Sequence, residues 1–188
     1  MTRAKGPWLV EETVQRYKDD WLDVNEDRVI RPDGKPGSFA TVKMRPGVSV
    51  LAVDDDGRVY LTIEYKYAVE RESIEVVSGG IDAGESTIAA ARRELREELG
   101  IEAAEWTELG FVDPFTSAIN SPAALFLARK ISVFEATPEG TELIKMLRLD
   151  LSDAVQMVMD GKITHGPSCV LILKTSLLLN SEKAENPD

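Results

Sequence analysis

The first third of the chain contains short segments in which apolar and polar residues alternate with a period of two, the spacing of a strand with one buried face. Residues 38–45 show this alternation, and the turn sequence RPDGKPG precedes them at 31–37. The apolar segment 47–53 is followed by the acidic turn DDDG and then by a second β-rich segment at 59–65. Two such segments on either side of a tight turn predict a β-hairpin.

The periodicity changes after residue 85, where apolar residues recur every three or four positions. Residues 86–99 are rich in Ala, Leu, Glu and Arg, which favour helices, and Gly100 stands where a C-cap is common. The apolar stripe of this predicted helix comprises Ile88, Ala91, Leu95 and Leu99. Further predicted elements are strands at 73–77, 104–114, 125–133 and 143–149, and helices at 150–160 and 167–180.

The order of these elements predicts an α/β fold, an α/β/α sandwich with a mixed sheet. Residues 1–45 contain only predicted strands, so we expect an N-terminal β subdomain there. The main domain is then expected at 46–180, followed by a frayed polar tail at 181–188.

Composition narrows the classes of partner. The formal net charge of the 188 residues is −11, which argues against general nucleic-acid binding, because that binding depends on Lys and Arg neutralising phosphates. No apolar segment approaches the length of a membrane span, and the N-terminus lacks the hydrophobic segment of a signal peptide. The single cysteine, Cys169, cannot form an intramolecular disulfide, so we expect a cytoplasmic protein.

Four glutamates lie close together around the predicted helix 86–99: Glu85, Glu94, Glu97 and Glu98. On a helix, the last three share one face, since surface neighbours are three or four residues apart. Clustered carboxylates repel one another at neutral pH, and a divalent cation such as Mg²⁺ relieves that repulsion. The cluster therefore indicates metal-assisted chemistry on a phosphorylated substrate, although a solvated acidic helix face would give a similar composition.

The full spacing is more specific than the acidic cluster. The chain matches the pattern G-x5-E-x7-R-E-L-x-E-E-x-G-I from Gly79 to Ile101, with Arg93 directly before Glu94. This resembles the Nudix box, the signature of hydrolases that cleave a nucleoside diphosphate linked to another group. Outside the box, residues 29–86 and 124–131 resemble the ADP-ribose pyrophosphatase branch of that family.

The resemblance implies hydrolysis of ADP-ribose, or of a related nucleoside diphosphate sugar, to a nucleoside monophosphate and a sugar phosphate, with Mg²⁺ or Mn²⁺ as cofactor. It also implies a homodimer in which the N-terminal β subdomain takes part. On the matching positions, Glu94 and Glu98 would be the principal metal ligands, and Glu97 a further ligand or a water-positioning group. Ser78 would supply a backbone carbonyl to the metal, and Arg93 would pair with box carboxylates and hold them in place.

A further carboxylate is expected as general base, from a loop before the last predicted strand. Glu142 aligns better than Glu139, and both stay open. For substrate binding we expect Lys66, and Trp21 as a platform for a base, although core packing or a dimer contact would also explain Trp21. The single histidine, His165, is expected in a loop or at a helix cap rather than in catalysis.

Two departures from the branch leave the substrate open. The Gln-Tyr-Arg segment of the branch reads Glu64-Tyr65-Lys66 here, and lysine is a point charge that cannot reproduce a bidentate arginine contact. The loop 115–122 also lacks the acidic residue that the branch carries. The alternatives are a pyrophosphatase for nucleoside triphosphates or dinucleotides, and a Nudix regulator that binds its ligand without hydrolysing it.

Overall fold

The computed structural model describes residues 2–136 and 143–185. A 3₁₀ turn at Tyr67–Val69 separates two of its strands. In chain order, the strands and helices are β1 (Arg3–Lys5), β2 (Trp8–Lys18), β3 (Leu22–Ile30), β4 (Pro36–Met44), β5 (Gly47–Val53), β6 (Arg58–Lys66), β7 (Arg71–Glu75), β8 (Val77–Gly80), α1 (Thr87–Leu99), β9 (Ile101–Val112), β10 (Ile119–Asn120), β11 (Ala123–Val133), β12 (Lys145–Asp150), α2 (Leu151–Met159) and α3 (Gly166–Glu185).

The chain divides into two compact units. The first consists of Met1–Pro46 and Asp113–Pro122, and its described strands form one sheet in the order β1-β2-β3-β4-β10. Neighbouring strands in this sheet are antiparallel, except that β10 runs parallel to β4. The sequence did not indicate that Asp113–Pro122 belongs to this unit, because a two-residue strand such as β10 has no periodicity to detect.

The second unit consists of Gly47–Val112 and Ala123–Asp188. Its sheet has the order β12-β6-β5-β11-β9 among the described residues, with β7 beside β6 and β8 beside β5. Strands β5 and β11 are parallel, whereas the other pairs are antiparallel. The mixed sheet that the sequence predicted is therefore confirmed.

Both faces of this second sheet are covered by helices, and alternate residues of β5 point to opposite faces. Val48, Val50 and Ala52 pack with the buried stripe of α1, whereas Leu51 and Val53 pack with residues of α2 and α3. All five of these side chains are buried. This alternation produces the α/β/α sandwich, since each strand supplies apolar residues to two separate cores.

The segment 73–77, predicted as one strand, belongs to two strands. β7 ends before Val76 and pairs with β6, whereas β8 begins after Val76 and pairs with β5. Gly79 and Gly80 belong to β8 and pair with β5. The polar tail expected from residue 181 is wrong in part, because α3 continues to Glu185. There, Glu182 accepts a hydrogen bond from Arg129 at 2.9 Å, which ties the helix end to β11.

Among residues 2–136 and 143–185, no helix combines the length and the apolar character needed to cross a bilayer.

Candidate active site

Local sequence fixes both ends of α1. The Ser86 hydroxyl accepts a hydrogen bond from the backbone N–H of Ala89, as an N-cap residue does. At the other end, Gly100 adopts the left-handed conformation with φ of 64°, and its N–H donates to the carbonyl of Arg96. With Ala91, Leu95 and Leu99 buried against the sheet, the register of the glutamates on the helix is set.

The backbone of β8 runs directly against the carboxylate of Glu94. A Cβ atom added to Gly79 would lie 2.0 Å from Cδ of Glu94 and 2.1 Å from its Oε1. Any side chain here would displace the carboxylate of Glu94, so the first glycine of the box allows strand and carboxylate to approach this closely. Glu94 itself is largely enclosed, with 12% of its side chain exposed.

Arg93 organises the carboxylates around it. Its Nε and Nη2 donate to the two carboxylate oxygens of Glu85 at 3.1 and 3.0 Å, a bidentate contact. Its Nη1 donates to Glu94 at 2.8 Å and to Glu97 at 3.1 Å. Nη2 also donates to the carbonyl of Gly80 at 2.9 Å, which ties α1 to β8. The structure thus brings Glu85, Glu94 and Glu97 together around one guanidinium.

The charges of this group reinforce one another. The hydrogen bonds from Arg93 hold the pKa of Glu85 below its usual value, despite the opposing effect of burial. In turn, hydrogen bonding to Glu85 and the neighbouring carboxylates raises the pKa of Arg93. Glu85 and Arg93 are therefore both ionised at neutral pH, and the guanidinium offsets part of the repulsion among the glutamates.

Lys66, expected to bind substrate, lies at the end of β6 and contacts the carboxylate of Glu64. Burial alone would lower the pKa of Lys66, but Glu64, Glu75 and Glu98 together raise it. The ammonium is thus charged and faces three acidic residues. The sequence reasoning missed Glu64 as its partner, although two positions apart on a strand is the spacing of residues on one face.

The remaining predicted residues fall in different places. Glu98 is buried, with 8% of its surface exposed. Ser78 lies in β8, where its hydroxyl donates to the carbonyl of Val76 and lies 2.9 Å from Oγ of Ser49. Trp21 belongs to the first unit, is 61% exposed and lies under the guanidinium of Arg45 at 4.6 Å. The predicted general bases, Glu142 and Glu139, lie outside the described residues.

The donors around α1 suit a hard divalent cation. Glu94, Glu97 and Glu98 offer carboxylate oxygens, and the backbone of β8 passes beside Glu94 close enough to exclude a Cβ atom. In the described residues, no three Asp, Glu, His or Cys side chains are grouped as a ready-made metal site. Arg93 instead holds Glu94 and Glu97, so the carboxylates are gathered by an internal cation.

A wide groove of about 720 Å³ lies elsewhere in the second unit. The groove is lined by Asp54–Gly57, by the beginning of α2 and by the last turns of α3. Its lining includes none of the box residues. We therefore assign this groove no role in the chemistry of the box.

Comparisons with known proteins agree with this geometry. The family model of the NUDIX domain matches residues 43–156, and that of the nucleoside diphosphate sugar hydrolase N-terminal domain matches residues 8–42. The ADP-ribose pyrophosphatase of Bacillus subtilis (strain 168) is 29% identical over 155 residues, covering 80% of this chain and 84% of the relative. The ADP-ribose pyrophosphatase of Mycobacterium tuberculosis (strain ATCC 25618 / H37Rv) is 28% identical, covering 76% of this chain and 70% of the relative.

A solved structure described as an ADP compounds hydrolase has the same fold. It superposes with a TM-score of 0.81 at 20% sequence identity, covering 96% of this chain and 98% of the other. The NUDIX match spans more than half of the chain and includes the whole box around α1. The chain therefore belongs to the Nudix family of hydrolases and resembles its ADP-ribose pyrophosphatases.

Proposed function

We propose that this Nudix hydrolase cleaves the diphosphate of a nucleoside diphosphate sugar, with ADP-ribose as the first candidate. The observation that carries the proposal is the complete box, in which Arg93 gathers Glu85, Glu94 and Glu97 beside the backbone of β8. The match of residues 8–42 to the N-terminal domain of nucleoside diphosphate sugar hydrolases favours a sugar-linked substrate over a nucleoside triphosphate.

The reaction consumes one water molecule. The water oxygen forms a bond to one phosphorus, the bridging P–O bond breaks, and the bridging oxygen leaves with the other phosphoryl group. From ADP-ribose, the products are AMP and ribose 5-phosphate. The proton lost by the water passes to a carboxylate, for which we propose Glu142, with Glu139 as the alternative.

Mg²⁺ or Mn²⁺ is the proposed cofactor, held by Glu94, Glu98 and the carbonyl of Ser78, with Glu97 as a further ligand or as the group that positions the water. When bound, the cation would offset the negative charge of the diphosphate and lower the pKa of the attacking water. Arg93 keeps the glutamates together before substrate binds, through hydrogen bonds of 2.8 to 3.1 Å.

Lys66 would interact with the negatively charged part of the substrate. Its side chain is 39% exposed and charged, so an incoming phosphate oxygen can replace solvent around it. A lysine makes a point-charge contact rather than a bidentate one, so the contact requires less exact placement of the group that it binds. Trp21 is proposed to stack on the nucleobase across the interface of a homodimer, since 61% of its surface is exposed.

The direct test is a substrate panel. The enzyme is incubated with Mg²⁺ and ADP-ribose, GDP-mannose, a dinucleotide and a nucleoside triphosphate in separate reactions, and released nucleoside monophosphate is measured. We expect turnover on the sugar-linked compounds and loss of turnover when EDTA removes the metal. Absence of turnover across the panel would refute the proposal, and preference for the triphosphate would replace it with the alternative activity.

The identity of the general base is tested separately by Glu142→Gln, with Glu139→Gln as the matched control. If Glu142 accepts the proton of the water, its variant loses most of its turnover near neutral pH, whereas the control keeps it. The opposite result would assign the base to Glu139.

A further inference from the structure

In the second unit, strand pairing changes at Val76, directly before the strand that carries Ser78 and Gly79. On one side of Val76, β7 pairs with β6, and on the other side β8 pairs with β5. Val76 is completely buried, so its N–H requires a partner within the protein. That partner is the hydroxyl of Ser168, which accepts the hydrogen bond at 3.0 Å from the first turn of α3.

Ser168 is itself fixed by a second contact. Its side chain is fully buried, and Oγ lies 2.8 Å from Nδ1 of His165. The same Nδ1 also lies 3.3 Å from a carboxylate oxygen of Glu75, so the imidazole contacts both Ser168 and the last residue of β7. Burial lowers the pKa of His165 despite the nearby carboxylate of Glu75, which favours the neutral ring.

The geometry therefore links α3 to the box through three groups. His165 orients the Ser168 hydroxyl, and Ser168 accepts the hydrogen bond from the N–H of Val76. Four residues after Val76, the carbonyl of Gly80 accepts a hydrogen bond from Arg93. Between them lies Gly79, whose position against the Glu94 carboxylate leaves no room for a methyl group. A small shift of the backbone at Val76 would change the distance between Gly79 and the Glu94 carboxylate.

We propose that Ser168, held by His165, is a positioning residue for the box, because it fixes the start of β8 and thereby the groups that bind the metal. This inference rests on the proposed function insofar as the carbonyl of Ser78 and the carboxylate of Glu94 bind the cation there. Ser168 touches neither substrate nor metal. Its effect is transmitted through the backbone of Val76 and the strand that follows.

The same helix provides a matched control. Thr175 is also fully buried in α3, seven residues further along, but its Oγ1 has no hydrogen-bond partner among the described residues. Removing this hydroxyl with Thr175→Val changes a buried side chain of the same helix and, among the described residues, removes no hydrogen bond to β8. Comparing it with Ser168→Ala separates the positioning role from a general loosening of α3.

The experiment measures Mn²⁺ binding to the full chain by calorimetry, for the wild type, Ser168→Ala, His165→Ala and Thr175→Val. We expect Ser168→Ala to weaken Mn²⁺ binding by roughly tenfold, the lower end of the range for residues that orient metal ligands. His165→Ala should weaken it in the same direction by less, and Thr175→Val should bind as the wild type does. Exchange of the Val76 amide hydrogen, followed by NMR, should accelerate in Ser168→Ala, accelerate less in His165→Ala and stay unchanged in Thr175→Val.

In turnover assays, Ser168→Ala should raise the metal concentration for half-maximal rate while kcat at saturating metal is retained. Unchanged Mn²⁺ affinity in Ser168→Ala, or an equal loss in Thr175→Val, would overturn the inference. If Ser168→Ala does not fold, His165→Ala carries the test, and wild-type affinity in that variant overturns it. Weakened Mn²⁺ binding without turnover by the wild type on any substrate would support the positioning role and refute the proposed diphosphatase.

Discussion

At the scale of single residues, Arg93 decides how the negative charge of the box is tolerated. The guanidinium presents its donors in a rigid fork, and here they reach Glu85, Glu94, Glu97 and a backbone carbonyl at once. The guanidinium therefore offsets part of the repulsion among carboxylates that lie close together in the folded protein. A lysine at this position could not hold the same set, since its ammonium cannot make the bidentate contact to Glu85.

The first prediction concerns the proposed metal ligands. Glu94→Gln and Glu98→Gln each remove one negative charge without changing the size of the side chain, so the fold should persist. We expect kcat to fall by roughly 100-fold or more, the usual cost of losing one electrostatic stabiliser of the transition state. Steady-state kinetics at saturating Mg²⁺ measures this. Glu102→Gln, an exposed carboxylate on β9, is the control, and wild-type turnover in Glu94→Gln or Glu98→Gln would contradict the assignment.

The second prediction uses the space beside Gly79. In Gly79→Ala, the new methyl group would overlap the end of the Glu94 side chain, which can rotate away more easily than backbone can move. We therefore expect little change in the melting temperature but a loss of metal affinity of roughly 10-fold or more. Calorimetric titration with Mn²⁺ and thermal unfolding distinguish the two effects. A large drop in melting temperature with unchanged Mn²⁺ affinity would show that the glycine serves the fold instead.

At the scale of elements, the end of α1 is set by a different kind of glycine. Gly100 has a positive φ, and a Cβ atom there would lie 2.4 Å from the carbonyl oxygen of Phe134. The positive φ and the contact with the Phe134 carbonyl both involve backbone atoms, so no side-chain rotation would make room for a Cβ atom at Gly100. The helix carrying the glutamates therefore ends where the next strand must begin.

Gly100→Ala is accordingly expected to destabilise the protein by at least about 1–2 kcal/mol, the cost of a left-handed conformation for a residue with a side chain. Urea unfolding gives the free energy of unfolding. The matched control is Gly166→Ala, because no atom lies within 4 Å of the added methyl group there. Equal stability of Gly100→Ala and the wild type would show that the helix end can rearrange.

The first unit has a buried charge that connects three of its strands. Asp27 on β3 is 3% exposed, and its carboxylate accepts from the hydroxyl of Thr13 on β2 at 2.5 Å and from Lys5 on β1 at 3.3 Å. The hydrogen bond from Thr13, with help from Lys5, lowers the pKa of Asp27 in spite of burial. The ionised carboxylate is therefore the form that stabilises these strands.

Since the folded pKa lies below the unfolded one, this stabilisation is present in full above the usual carboxyl pKa of 3.8 and is lost as the pH falls through the folded value. Asp27→Asn should thus lower the free energy of unfolding by about 1–3 kcal/mol at pH 7. The difference from the wild type should shrink on acidification. Urea unfolding at pH 7 and at an acidic pH near the carboxyl pKa tests this, with the exposed Asp33→Asn as control. A difference in the free energy of unfolding that does not change with pH would contradict the explanation.

At the scale of the whole molecule, we propose a homodimer, because the first unit exposes several large apolar side chains. Leu9, Tyr17, Trp21, Phe39 and Met44 are each more than a third exposed. Exposed apolar side chains that form one contiguous patch are typical of interaction sites. Light scattering should give a mass twice that of the 20.7 kDa chain. A monomer at every protein concentration tested would contradict the dimer.

Local sequence determined much of this protein. The 3.6-residue period and the capping residues Ser86 and Gly100 define α1, because helix formation depends on neighbours within one or two turns. The hairpin of β5 and β6 follows in the same way from two apolar segments joined by a turn. The spacing of the box was sufficient to identify the Nudix family, since it specifies both the residues and their positions on one helix.

Only the tertiary structure decided how distant segments meet. The division at Val76, the inclusion of Asp113–Pro122 in the first unit and the contact of Ser168 with the start of β8 all join residues far apart in the chain. No periodicity records such contacts, because they depend on which strands pair and on which buried backbone group then lacks a partner. Sequence therefore determined the helix and its carboxylates, while strand pairing decided the backbone on which those carboxylates rest.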